Sequence, residues 1–565
     1  MARLNYGVKF NGKNIVHPGG YDHIDASAME IVGDGTDNIP IVLGEADSGI
    51  PGIVKWFTNS SDAKEYLRGG DLYHAVDMMF NPKGETGASI VGVLVTNATQ
   101  QAKLTEGSLV IGSKEYGDGG NRIQVNLSEG SMSGTKTFSV NRWDIGKSEV
   151  YDNVGAIIKL KYTGEQAYAS VEVTKSGTDS IKIITKIGAD KESAQEDVSL
   201  DLSTGRYKDV DSIIKYFQSL SDYSASYVNY RNSGMSYTGL DALEETDIKQ
   251  EATILGVKGD LQHQVNNYSE LVEISYVEGD LQNVEYKYLS GGKRGESPAS
   301  WHNYFAYLQK QYANILVILS SSEAIHAECL EHIKVMLDRK QKRVMFTGGG
   351  LVETVAKAKE RAFMLNDSRA VTCYPGVYYP TYKEGKEPLP AYMSAALVAG
   401  VICGLSPSEP ITFDTVNCIG LANDLLAGDA DVDDLITSGV LCLERVLNEG
   451  IRIVQGITTY LDTNNTLYRE ISVRRGADAV SDFITNGLEK AFVGKKGLRS
   501  TPSAVETKTM DLLDLCIKSE LITGYRNIIV KYVNTAVYVD FEVAPVEPIN
   551  YILVTSHFVP DSTLQ

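Results

Sequence analysis

A chain of 565 residues, 43% hydrophobic and 22% charged, carries enough apolar material for roughly three or four domains and excludes wholesale disorder. Its formal net charge of -20 excludes a broad basic face; the densest basic cluster, Arg339, Lys340, Lys342 and Arg343, reads as a helix end entering a strand, so no nucleic-acid partner is expected. No secretory h-region opens the chain and no apolar run reaches about 18 residues, so no membrane insertion is expected.

Residues 1–27 read as an extended N-terminal arm. Val8 and Phe10 lie in a weakly alternating run, Asn11 with Gly12 is a turn signal, and the stretch His17, Pro18, Gly19, Gly20 cannot continue a helix. Too few apolar residues remain for a core, so Val8 and Phe10 are expected to pair with a sheet edge elsewhere. Residues 28–100 read as a small mixed domain packing on the core, with strands at 39–43 and 89–95 and a short helix at 61–67. The second strand is continuously apolar, as a buried sheet requires. Residues 101–285 read as a β-rich, outward-facing insertion. Strand-like runs at 122–127, 156–160 and 180–184 are separated by Gly, Asn, Asp and Ser clusters, and a helix near 210–220 interrupts them.

Residues 286–475 change to an α/β pattern. Buried strands are predicted at 314–319, 343–347 and 370–373. The helix between the first two carries Ile325, Cys329, Ile333 and Met336 on one face, and a second helix spans 351 to about 365. This βαβαβ run predicts parallel strands with right-handed crossovers. Residues 476–545 read as a C-terminal α+β assembly domain. Val480, Phe483, Ile484 and Leu488 make a helical face that Gly494 ends, and Thr501 with Pro502 opens a second helix. Val537, Val539 and Phe541 then alternate with polar residues as a strand. Pro545 and Pro548 break it, and Ile549, Tyr551, Ile552 and Val554 begin a C-terminal extended arm at 546–565; with Val8 and Phe10, these four and Val537, Val539 and Phe541 are the residues expected to exchange strands between subunits. The fold class expected is therefore α/β and α+β, multidomain, with extended arms at both ends.

Catalytic chemistry is missing from the pattern. The turn after the first core strand lacks GxGxxG and the P-loop; the turn Thr347, Gly348, Gly349, Gly350 offers free amides but reads as a tight βα turn. The acidic run 428–434 lacks the glycine and distal carboxylate of a calcium loop, and reads as an acidic helix start. Cys329, His326 and His332 share a helix, yet no second ligand pair accompanies them, so core packing is the reading. Neither GxSxG nor HExxH occurs. Six cysteines without a CxxC pair read as reduced, buried thiols. No catalytic residue, cofactor or metal is expected. Arg474 and Arg475, after a strand read at 471–473, are placed to grip carboxylates either on a neighbouring subunit or inside the chain.

Several segments together carry a resemblance. They are KEYGDGGNRI at 114–123, YLSGGKRG at 288–295, the small-residue run 395–400, LITSGV at 435–440 followed by IRIVQGITT at 451–459, ISVRR at 471–475, FVG at 492–494, and the close VDFEV at 539–543 with PINYI at 548–552. In this order they resemble the tail sheath proteins of contractile-tailed bacteriophages, most closely from about 286 to 556. The resemblance implies a structural subunit rather than an enzyme. It implies hexameric rings stacked helically around a tail tube, with baseplate and tail-terminator or neck proteins at the ends, in a virion tail assembled in the host cytoplasm. It also implies a one-way contraction that drives the tube through the host envelope. The sheath of a bacterial contractile injection system is the alternative the same residues allow, and a nucleotide-binding α/β enzyme built on 286–475 is the more distant one.

Overall fold

The structure, a computed structural model, describes residues 8–10, 13–15, 38–83, 87–177, 180–462, 467–497, 501–533 and 536–556. The chain divides into two compact units: Met1–His23 with Thr99–Gly295, and Ile24–Ala98 with Glu296–Gln565.

The second unit is built on an eight-stranded sheet. Its order is Gly450–Ile453, Leu441–Val446, Ala370–Tyr374, Val344–Gly348, Ile315–Ile318, Pro40–Gly44, Val91–Val95 and Val54–Phe57. The six inner strands run parallel and the two edge strands antiparallel. Strands buried on both faces need apolar residues at every position, and these have them. Val42, Val317 and Phe346 face the helices Asp71–Phe80 and Ala391–Cys403. Ile41, Leu316 and Met345 face His302–Leu308 and Glu323–Asp338. Ala391–Cys403 is apolar on all sides, which suits a helix enclosed by sheet and helix.

Three sequence readings change here. The segment read as a small domain at 28–100 does not merely pack on the core: its described strands Pro40–Gly44 and Val91–Val95 lie inside the core sheet. Short, fully buried apolar strands need neighbours on both edges, and for Pro40–Gly44 they are Ile315–Ile318 and Val91–Val95. Residues 471–473 are the first turn of a helix, Ile471–Phe492, not a strand. Their β-branched side chains suggest a strand, but Ile471, Arg475 and Ala479 follow helical spacing and are all buried. Finally, Val8–Phe10 is not free-standing; it pairs antiparallel with Lys13–Ile15, Val8 opposite Ile15. The remainder of the expected N-terminal arm lies outside the described residues.

The C-terminal part of this unit packs Ile471–Phe492 against Thr501–Lys518 and the hairpin Ile522–Val533 with Ala536–Pro545. Val480, Ile484, Leu513, Cys516 and Ile522 form its core.

Among the described residues the first unit holds, besides the pair Val8–Phe10 with Lys13–Ile15, four small sheets around two apolar cores, one from Ile157 to Ile254 and one drawing on Leu109–Tyr116, Gln124–Glu129, Lys136–Arg142 and the helix Val257–Tyr268. Two of the sequence motifs meet in it. The Asn121 amide donates to Gly292 O at 2.8 Å and accepts Gly292 N–H at 2.8 Å, so it pairs with the backbone of the 288–295 turn. Gly292 is required, since a Cβ there would sit 2.5 Å from Gly117 O.

Candidate assembly interface

Val537, Val539 and Phe541 lie in the second strand of the C-terminal hairpin. Their partners are within the chain: Val537 faces Tyr532 and Val539 faces Val530. The three are half-buried, Phe541 against the core of the two long helices, while Tyr538, Asp540 and Glu542 are exposed. The sheet has only these two strands, so among the described residues both outer edges are unpaired. A two-stranded sheet is marginal alone.

Beyond Pro545 the chain, described to residue 556, takes no regular structure. Ile549 is 84% exposed, Tyr551 79%, Ile552 81%, Leu553 95% and Val554 79%. Asn550 points the other way. Its amide nitrogen donates to Glu470 Oε1 at 2.9 Å and its oxygen accepts the Thr412 hydroxyl at 3.2 Å. Gln455 donates to the same Glu470 oxygen at 2.5 Å. Burial raises the Glu470 pKa, and the two amide donors work against that rise. Glu470 immediately precedes Ile471–Phe492, so the base of the tail is tied to the start of that helix. The sequence reading missed this tie; its signal was one amide inside an otherwise apolar run.

Arg474 and Arg475 have partners inside the chain. Arg474 donates to Asp478 at 2.6 Å and stacks over the Tyr468 ring at 4.4 Å. Asp478 also takes a two-pronged contact from Arg369, at 2.6 and 2.8 Å. Arg475 is buried, donating to Asn38 Oδ1 at 2.6 Å and to Ile402 O at 3.4 Å. Helical geometry explains both: Arg474 and Asp478 are four apart on one face, and Arg475 turns inward.

The groups weighed for chemistry have structural partners. At the turn 347–350, a Cβ on Gly349 would meet the Glu353 carboxylate at 2.0 Å, so the chain's own acid fills the place a phosphate would need. Arg361 holds that acid from two nitrogens, at 2.5 and 2.6 Å, with both side chains nearly sealed from solvent. His326 bonds Ser320 O and the Thr347 hydroxyl, and burial lowers it to about 4. His332 faces the Arg343 guanidinium at 2.8 Å and is lowered to about 3, by burial and then by that cation. Burial pushes the Cys329 thiol far up. Asp429 stands at the start of Ala430–Thr437 and accepts Leu426 N–H at 2.8 Å. Among the described residues no group of three His, Cys, Asp or Glu is placed to hold a metal, and no helix is long and apolar enough to cross a membrane.

The chain thus combines a doubly covered α/β sheet, an inserted β-rich unit and an exposed apolar tail. Comparison with known proteins gives the family. Residues 295–459 match the model of the phage tail sheath protein central domain. The tail sheath protein of Bacillus phage SP01 is 49% identical over 100% of this chain and 99% of its own. The putative tail sheath protein of Enterococcus phage phiEF24C is 29% identical over 92% of each. The crystal structure of the sheath tail protein of Desulfitobacterium hafniense shares the fold, with a TM-score of 0.56 and 13% identity over 94% of this chain and 97% of that one. The chain belongs to the phage tail sheath family. Its homologues are structural tail sheath proteins, not enzymes.

Proposed function

We propose that this chain polymerises as stacked hexameric rings around a tail tube and contracts to drive the tube through the host envelope. In this reading it is a virion component assembled in the host cytoplasm, with tube, baseplate and neck proteins as partners. The phage setting, rather than a bacterial injection machine, rests on the phage relatives. The observation that carries the assembly step is the tail, whose five exposed apolar side chains follow in sequence a two-stranded sheet with both edges unpaired among the described residues.

An open edge accepts a strand from another copy, and Ile549, Tyr551, Ile552 and Val554 supply one. Such a contact is head-to-tail, so it propagates into rings and helices rather than closing as a dimer. Each large anchor fully buried contributes about 1.5–3 kcal/mol, of which only the surplus over ordering costs appears as affinity. Val8 and Phe10, on a strand with its outer edge free in the described hairpin, offer a second contact per subunit, and two contacts add multivalently across a lattice. Asn550 fixes the base of the tail while the segment beyond it reorients, which lets bodies move without unlinking.

Deleting residues 546–565 tests this. Circular dichroism should show folded bodies and electron microscopy no tubes. Tubes of normal appearance from the truncated chain would end the proposal.

A further inference from the structure

A small cavity lies at the seam between the core sheet and the first C-terminal helix. Its volume is about 70 Å³, and it is lined by Asn38, by the segments that lead into the strands Ile315–Ile318 and Val344–Gly348, and by the helix Ile471–Phe492. The helix contributes Arg475, Asp478 and Asp482, and the loop before Val344–Gly348 contributes Lys340 and Lys342. One water takes roughly 10–15 Å³ by the same measure, so the space has room for a group of several heavy atoms.

The charges around this cavity do not balance. Asp478 is taken by Arg369 and Arg474, and Asp482 by Lys342 at 2.5 Å. Arg475 and Lys340 are left with no carboxylate in ion-pair contact among the described residues. Arg475 is only 7% exposed. Its Nη2 donates to two neutral oxygens, Asn38 Oδ1 and Ile402 O, and its Nη1 is buried with no hydrogen-bond partner. Burial lowers its pKa to about 10, opposed by Cys403 and Glu409. A buried cation with neutral partners and an idle donor is costly to hold.

We propose that this cavity binds a carboxylate, one oxygen accepting the Arg475 Nη1–H and the other facing the Lys340 ammonium at the cavity's rim. The chemistry narrows the occupant. Water satisfies the hydrogen bond and leaves the charge unmatched. An apolar group leaves Nη1 without an acceptor. A metal cation meets two like charges, and a dianion meets Asp478 and Asp482 on the same wall. A carboxylate brings one negative charge and two acceptor oxygens, and its bonds to a guanidinium and an ammonium are charge-assisted. Its source is a free small anion or an Asp or Glu side chain of a second copy, and the chemistry is the same for both. Bound there, it joins the core sheet to the helix Ile471–Phe492. The inference does not depend on exchange of the C-terminal tail.

Thermal unfolding of the full-length chain is followed in sodium acetate against sodium chloride, at equal ionic strength and near neutral pH. Acetate should raise the melting temperature saturably, the mark of a ligand held by the folded state, whereas a general salt effect grows without saturating. Arg475→Met should remove the saturable shift. Lys340→Gln, at an exposed position, should leave circular dichroism unchanged and raise the half-saturating acetate concentration about two- to fivefold, the worth of a rim ion pair. No saturable shift, an equal shift in chloride, or an undiminished one in Arg475→Met would overturn the proposal. So would an unchanged half-saturation in Lys340→Gln, a result that decides the matter even if Arg475→Met does not fold. Electron microscopy of assembled tubes then separates the sources. An Asp or Glu of a neighbouring copy within hydrogen-bond distance of Arg475 Nη1 assigns the site to a second copy, and a cavity closed off from every neighbour assigns it to a free anion.

Discussion

Asp260 is a carboxyl with no exposed surface. It sits where the chain passes between the two cores of the β-rich unit. It accepts Gly155 N–H at 2.6 Å and the Gln264 amide at 2.8 Å, and burial lifts it to about 6. Unfolded, it titrates near 3.9. The folded state therefore holds the extra proton between those values, and stability falls as pH rises from about 4 to about 6, by on the order of 2–3 kcal/mol. Asp260→Asn carries no charge to desolvate, so the variant should lack that slope. Urea midpoints of both proteins at about pH 4 and about pH 7 should diverge with pH; a constant difference would show that Asp260 does not titrate there. None of this was legible beforehand, because nothing local distinguishes Asp260 from the exposed acids on nearby turns. Its environment is made by Gly155 and Gln264, and Gly155 is remote in sequence.

Ile471–Phe492 shows where element-level reading fails. Ile471 and Val473 favour a strand locally, and the helical spacing that overrides them becomes visible only with Ala479 and Val480 included. By contrast, the strands 315–318, 344–348 and 370–374 are near-continuous apolar runs, and nothing but a doubly covered sheet satisfies them. The tail was legible as apolar and proline-bounded, but its anchor was not, since Asn550 finds Glu470 and Thr412 only through the fold. Asn550→Ala should cost about 1 kcal/mol, the net value of such bonds, because Glu470 keeps Gln455. Cleavage within 546–556 by a broad-specificity protease should speed up while the hairpin Ile522–Val533 with Ala536–Pro545 stays protected. Unchanged cleavage would mean the tail is held by something other than Asn550.

For the whole molecule, the sequence marked a change to β-rich character near residue 101 but missed that the segment before it returns to the core sheet. Domain boundaries drawn from composition follow the chain, whereas sheet order follows burial, and Pro40–Gly44 is hydrogen-bonded to Ile315–Ile318 across a long excursion. The excursion begins and ends at one place. Ala98 N–H donates to Glu296 O at 3.1 Å, and the hydroxyls of Thr96 and Ser297 lie 2.6 Å apart. Asn97 is locked to both backbone groups of Ala46, at 3.0 and 2.8 Å, so the exit point belongs to the sheet itself. A short Gly-Ser linker in place of Thr99–Gly295 should therefore close without strain. Closing a shorter loop also costs less entropy. The shortened chain retains every strand of the eight-stranded sheet and its covering helices, including nearly all of the region matched to the sheath central domain. It should unfold cooperatively, with a melting temperature within a few degrees of the body's transition in the full chain. If the shortened chain is unfolded or insoluble, the β-rich unit is part of the folding core and not an excursion from it.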